Sequence, residues 1–167
     1  MTIAADDYAI PFEDPAMITY LNSIGVGSGG IITETQAAAA TIVSNTANNT
    51  TITKFNELKY FTSVTSSKNG INGAQSGNIR FKGWTALQEV DISNFISIGH
   101  NNGSACEDTF RGCTSLHTVT ASDKLTAIGY LAFDGCTNLD TFTGLSGDIS
   151  IYAAAFLNCS SLTSDAF

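Results

Sequence analysis

The chain has 167 residues, enough for one domain with a core or for a small domain followed by a repeat array. Its formal net charge is -8, and its seven Lys and Arg are scattered, which argues against nucleic-acid binding because phosphate neutralisation needs clustered cations. Hydrophobic residues make up 43% of the chain, but no apolar run reaches the roughly 18 residues of a membrane span, so we expect a core without membrane insertion.

The first fifteen residues, "MTIAADDYAIPFEDP", contain neither a basic segment nor a long apolar segment. They therefore do not have the pattern of a secretory signal peptide. We expect that a signal was removed or that the protein reaches its site by another route.

Residues 1–50 are predicted to form a helix-loop-helix region. Asp14 is suited to cap a first helix that has Pro15 at its first position. Thr33 and Gln36 have the spacing of a capping box, which predicts a second helix running to about Val43.

The loop between these helices contains glycines in the pattern G-x-G-x-x-G over residues 25–30. A dinucleotide site needs a strand before this loop and an acidic residue about 20 positions further on, whereas helix signals precede the loop and Thr50 follows it. The segment from Gly25 to Gln36 also resembles a degenerate EF-hand or dockerin-type calcium loop, with glycines at ligand positions and Gln36 in place of the bidentate Glu. A plain glycine-rich connection is the alternative, and we expect no metal and no cofactor here.

Residues 51–64 carry apolar side chains at helical-turn spacing, namely Phe55, Leu58, Phe61 and Val64. We predict that they form part of an N-terminal cap over the end of a repeat array, because stacked repeats need their ends closed.

The region 51–167 contains a repeated sequence motif. Phe110, Phe133 and Phe156 hold the same position in three copies of it and lie 23 residues apart. A longer gap before Phe110 is predicted to be a surface insertion, "HNNGSACED". Two columns of the alignment are predicted to form internal ladders: Phe81, Phe110, Phe133 and Phe156 in one, and Trp84, Cys113, Cys136 and Cys159 in the other.

The repeated motif Phe-x-Gly-Cys-Thr-x-Leu, preceded by Ile-Gly, resembles that of the BspA-like leucine-rich repeat family over residues 52–167 at least. Such repeats each supply a strand and a turn whose apolar side is buried only by a neighbouring repeat. The predicted fold is therefore an α/β repeat solenoid, a short leucine-rich repeat stack of about four 23-residue units with an N-terminal helical cap.

Small thiols at one position of every unit suit a tight interior column. Zinc binding and disulfides are the alternatives, but a structural zinc site needs close pairs such as C-x₂₋₄-C, which this sequence lacks. Cys106 lies in the insertion, where it can pair or react, and we expect a free thiol.

No motif predicts catalysis. His100 and His117 are the two histidines, and no serine lies in a G-x-S-x-G context. We expect no enzyme and no catalytic residue.

The strand of each repeat alternates inward Leu and Val positions with outward neighbours. The outward positions are Glu89, Asp91, Thr118, Thr120, Thr141 and Thr143. This row has two interpretations: a surface of high β-propensity, or a binding face rich in hydroxyl groups.

The family resemblance implies non-enzymatic adhesion or recognition of a protein or glycan at an extracellular or cell-surface location. A phage virion component built from the same repeats, such as a fibre, decoration or receptor-binding protein, is the alternative. After Leu162, Asp165 stands where earlier copies have an apolar residue, and the sequence stops at Phe167. We therefore expect another chain or further sequence to cover the last repeat, unless Asp165 acts as a minimal cap.

Overall fold

The structure is a computed structural model that describes residues 7–41, 49–64, 81–98 and 108–166. Most of the predicted insertion lies outside the described residues, and so do His100, Cys106 and Phe167.

Two short helices open the described chain: α1, Pro15–Ser23, and α2, Glu34–Ala39. The predicted caps are confirmed, because the Asp14 carboxylate accepts from the Ala16 N–H and Thr33 forms the capping box with Gln36. The extent of the second helix was predicted wrongly. It ends at Ala39 because the backbone is already extended at Ala40.

The described residues then contain seven short strands, together with a first 3-10 helix, Asn56–Tyr60, and a second, Ser164–Ala166. The strands are β1 Lys54–Phe55, β2 Glu89–Asp91, β3 Ser97–Ile98, β4 Thr118–Thr120, β5 Ala127–Ile128, β6 Thr141–Thr143 and β7 Ser150–Ile151. They form two sheets, β1-β2-β4-β6 and β3-β5-β7, and every pairing is parallel. Parallel strands from successive repeats, with few helices, are compatible with an α/β repeat fold.

The turn Phe-x-Gly-Cys joins each repeat to the next through the backbone. Gly112 and Gly135 have φ of 73° and 76°, and Asn158 adopts φ 60° at the same position of the next repeat. The Gly112 N–H donates to the carbonyl of Asp134 at 2.7 Å, and the Gly135 N–H donates to that of Leu157 at 2.9 Å.

Aromatic rings stack through the middle of the repeats. The ring centroids of Phe81 and Phe110 lie 5.1 Å apart, those of Phe110 and Phe133 also 5.1 Å, and those of Phe133 and Phe156 5.3 Å. The planes are within 12° of parallel, so each ring covers the face of the one before it. This column is the centre of a single hydrophobic core.

The N-terminal region covers the first repeat. The rings of Tyr20 and Trp84 meet edge to face at 5.3 Å, and those of Phe55 and Phe81 do so at 6.1 Å. The Asp14 carboxylate, besides capping α1, accepts from the Thr53 N–H at 2.6 Å. Residues on both sides of position 50 contribute to the one core, and the domain boundary there stays a prediction.

Candidate functional site

The predicted outward residues lie side by side on the sheet β1-β2-β4-β6. Thr118 is the register partner of Glu89 on one side and Thr141 on the other. Asp91, Thr120 and Thr143 form the second row in the same way. Because neighbouring strands run about 4.8 Å apart, each row presents equivalent side chains at a regular spacing.

Burial alternates along β4 and β6, whereas in β2 both Val90 and Asp91 are buried. Val119 and Phe142, which point into the core, are at most 1% exposed. Thr143 is exposed, and the other threonines of the two rows are half-buried. The structure therefore brings together a threonine patch, which consists of Thr118, Thr120, Thr141 and Thr143.

The hydroxyl groups of this patch differ in their partners. The Thr118 Oγ1 lies 2.8 Å from the Nδ1 of His117, and the Thr141 hydroxyl donates to Asp140 Oδ1 at 2.8 Å. Among the described residues, the hydroxyls of Thr120 and Thr143 make no hydrogen bond to the protein. The second row thus keeps donors and acceptors for another molecule.

Glu89, the first acidic residue of the face, is bound by Lys54 of β1 and by Asn56 of the first 3-10 helix. The Lys54 Nζ lies 3.1 Å from Glu89 Oε1, and the Asn56 amide donates to Glu89 Oε2 at 3.2 Å. Burial acts to raise the pKa of Glu89, but the bonds from Asn56 and Lys54 outweigh it, so the pKa lies below its usual value. The same lysine also contacts Glu13 at 3.3 Å.

The second acidic residue is similarly engaged. Asp91 is 9% exposed, and its carboxylate lies 3.3 Å from the Nζ of Lys59 and accepts from the Ser93 N–H at 2.9 Å. Both carboxylates therefore have partners within the chain, and the unpaired hydrogen-bonding groups of the face are on the threonine patch. Lys54, Asn56 and Lys59 were not singled out from the sequence, because their place beside the acidic residues depends on the register of β1 against β2.

The cysteine column belongs to the hydrophobic core. Cys113 and Cys136 are buried, Cys159 is half-buried, and all three are free thiols. Each thiol donates to a phenylalanine carbonyl of the preceding repeat: Cys113 to Phe81 at 3.0 Å, Cys136 to Phe110 at 3.1 Å and Cys159 to Phe133 at 3.1 Å.

Burial raises the pKa of these thiols, to about 12 for Cys113 and about 11 for Cys159, and well above the ordinary value for Cys136. A thiol with a raised pKa carries little thiolate and is a poor nucleophile at neutral pH. The burial and the hydrogen bonds of the three cysteines therefore indicate a role in packing between repeats.

The glycine-rich loop between α1 and α2 is organised by Asn22. Its side chain accepts from the Gly30 N–H at 2.9 Å and donates to the Val26 carbonyl at 3.0 Å. Gly27 and Gly30 both have φ of 75°, which favours glycine. The likeness of this loop to a degenerate calcium loop stays an interpretation.

Metal-binding clusters and membrane-spanning helices are both absent from the described part of the chain. No group of three or more His, Cys, Asp or Glu side chains there is arranged to hold a metal ion. No helix within the described ranges has the length and apolar character needed to span a bilayer.

Comparison with protein families identifies the repeats. A model described as "BspA type Leucine rich repeat region (6 copies)" matches residues 84–167, about half of the chain. The chain therefore belongs to the BspA-type leucine-rich repeat family. Repeats of this family are often involved in protein binding or adhesion and occur in surface-associated proteins. No curated protein matches the chain at a significant level.

Proposed function

We propose that the protein is a non-enzymatic adhesion or recognition module, built as a short repeat solenoid, that binds a protein or glycan at a cell surface. The observation that carries the proposal is the threonine patch. Its second row, Thr120 and Thr143, offers hydroxyl groups at regular spacing with no partner in the described chain. Membership of a family often involved in binding or adhesion supports the same conclusion.

The partner we propose is largely uncharged where it meets the patch. Glu89 and Asp91 are paired with Lys54 and Lys59, so the acidic end of the face is partly neutralised. Hydroxyl and amide groups of a glycan or a polypeptide backbone match the donors and acceptors of threonine. A phage virion protein is the alternative setting for the same face, and mass spectrometry of purified particles would distinguish it from a cell-surface protein.

The experiment compares two double variants on a printed glycan array and a panel of immobilised extracellular-matrix proteins. Thr120→Lys with Thr143→Lys places long charged side chains on the patch. Thr85→Lys with Thr114→Lys adds the same charge at exposed turn positions and is the matched control. We expect a probe bound by the native chain to be lost by the first variant and kept by the second. Binding that the first variant retains, or no binding to any probe, would contradict the proposal.

A further inference from the structure

The two free hydroxyl groups of the threonine patch lie in one row across the strands. Thr120 in β4 is the register partner of Thr143 in β6, and neither hydroxyl has a partner in the described chain. The hydroxyls of the other row are engaged, Thr118 with His117 and Thr141 with Asp140. A ligand that uses both free groups must therefore run across the strands, from one repeat to the next.

The strands are too short to guide a ligand along their own direction. β4 spans Thr118–Thr120 and β6 spans Thr141–Thr143, three residues each. A ligand that lies along either strand meets one free hydroxyl and leaves the other unpaired. The row across the strands is longer, because Asp91 of β2 continues it beyond Thr120.

The spacing of the row distinguishes between chain molecules. Neighbouring strands lie about 4.8 Å apart, whereas an extended polypeptide advances about 3.3 Å per residue. One residue of such a polypeptide falls short of the next threonine and two residues pass it, so its backbone groups do not meet both hydroxyls in register. An α-helix uses its backbone groups internally and has none to offer. The spacing therefore disfavours a polypeptide along this row.

A linear glycan fits the same spacing. The length of one pyranose ring along such a chain is close to the distance between neighbouring strands, and every ring carries hydroxyl groups. A threonine hydroxyl and a sugar hydroxyl can each donate and accept, so the two groups pair in either direction. Two consecutive sugar units can thus each meet one threonine.

The charge around the row favours a neutral glycan. The carboxylate of Asp140, an exposed residue beside the patch, accepts from the Thr141 hydroxyl, and the whole chain carries a net charge of -8. Both repel sulfated or carboxylated sugars. At the other end of the row, Asp91 is already paired with Lys59 at 3.3 Å. The free groups of the row are therefore those of the two threonines.

We propose that the threonine patch binds a linear, uncharged glycan that runs along the array of repeats and places one sugar unit on Thr120 and the next on Thr143. This inference rests on the proposed function and narrows its partner, a protein or a glycan, to one class of glycan. Because the two hydroxyls are equivalent contacts in successive repeats, affinity should depend on the length of the glycan.

The test titrates the whole chain with unbranched oligosaccharides of glucose, of mannose and of N-acetylglucosamine, each from one to four units, and measures affinity by calorimetry. In a series that binds, we expect affinity to rise about fivefold from one unit to two, because one hydrogen bond is added. Little should be gained beyond two units, because Asp91 is already engaged. Failure of every series to bind, or an affinity that is the same for one unit and two, would overturn the proposal.

Valine variants connect this length dependence to the two threonines. Thr143→Val removes a hydroxyl and keeps the branched shape, so the gain from the second unit should be lost, and Thr120→Val should have the same effect. Thr85→Val with Thr114→Val, at exposed turn positions, is the matched control and should keep the gain. An undiminished gain in Thr143→Val would show that the second sugar does not lie on this threonine.

A protein partner would give a different result. A matrix protein can still bind after enzymatic removal of its glycans, and the double variant Thr120→Lys with Thr143→Lys can abolish that binding. Together these results would mean that the patch recognises polypeptide, which overturns this inference and leaves the proposed function standing. Binding that the double variant retains contradicts both.

Discussion

The thiol of Cys136 donates a hydrogen bond to the backbone carbonyl of Phe110, 3.1 Å away in the preceding repeat. That carbonyl also accepts a hydrogen bond from the backbone N–H of Cys113 at 3.1 Å. The same oxygen therefore stabilises the turn of its own repeat and binds the cysteine of the next repeat. Cysteine suits this position because it is small, apolar and able to donate a weak hydrogen bond.

Cys136 should react slowly with a thiol reagent in the native protein. It is fully buried, and burial raises its pKa, so both access and thiolate fraction are low. Cys159, which is half-buried, should be labelled first among the three described thiols. Mass spectrometry of the labelled peptides measures this order, and rapid labelling of Cys136 in folded protein would contradict it.

Replacement of Cys136 by Asp should lower the free energy of unfolding by several kcal/mol, because it buries a carboxylate without a partner. Cys136→Ala is the control, since it removes the hydrogen bond and some volume without adding charge. Urea denaturation compares the two, and similar losses would show that the site admits water.

Gly144 and Gly147 have the same backbone φ but different surroundings, so alanine at each position separates steric overlap from backbone strain. Both have φ of 81°, but a Cβ on Gly144 would lie 2.2 Å from the carbonyl oxygen of Ala121, whereas one on Gly147 would meet nothing within 4 Å. Gly147→Ala should cost about 1–2 kcal/mol for the left-handed backbone alone. Gly144→Ala should cost clearly more in urea denaturation, and equal losses would mean that the backbone shifts freely there.

Asp134 connects three consecutive repeats. It is 6% exposed, and its carboxylate accepts from Arg111 Nε at 2.8 Å and from the Asn158 amide at 2.9 Å. Asp134→Ala should lower the free energy of unfolding by about 1–3 kcal/mol, because buried donors lose their acceptor.

Asp123→Ala is the matched control for this prediction, because Asp123 is exposed. It should change stability by no more than about 0.5 kcal/mol. A double-mutant cycle with Arg111→Ala isolates the ion pair, and a coupling energy near zero would contradict the role given to Asp134.

Because of Glu57, the free energy of unfolding should fall as the pH rises. Burial raises its pKa, one of its carboxylate oxygens has no partner among the described residues, and the other accepts from the Glu13 N–H at 2.7 Å. The folded protein therefore holds this proton more tightly than the unfolded chain does, and stability is lost between the unfolded pKa of about 4.3 and the higher folded pKa.

Glu57→Gln should remove this decrease, because the amide cannot ionise. Urea denaturation of both proteins from about pH 4 to pH 8 gives the difference in unfolding free energy, in which the contributions of other carboxyls cancel. A difference that stays constant across that range would show that the pKa of Glu57 is not raised.

The sequence by itself determined the repeating architecture. The 23-residue spacing of Phe110, Phe133 and Phe156 predicted units that stack, and the capping signals at Asp14 and Thr33 predicted where two helices begin. These features could be predicted because they depend on neighbours close in the chain or on a period that repeats without change.

The tertiary structure alone decided which distant residues meet. Lys54 and Lys59 neutralise Glu89 and Asp91 only because β1 pairs with β2, more than thirty residues along the chain. The sheet β3-β5-β7 was not predicted, since two-residue strands carry no periodicity of their own. The exposure of Ile151 was likewise decided by tertiary packing, because Ile98 and Ile128 hold the equivalent positions in β3 and β5 and are fully buried.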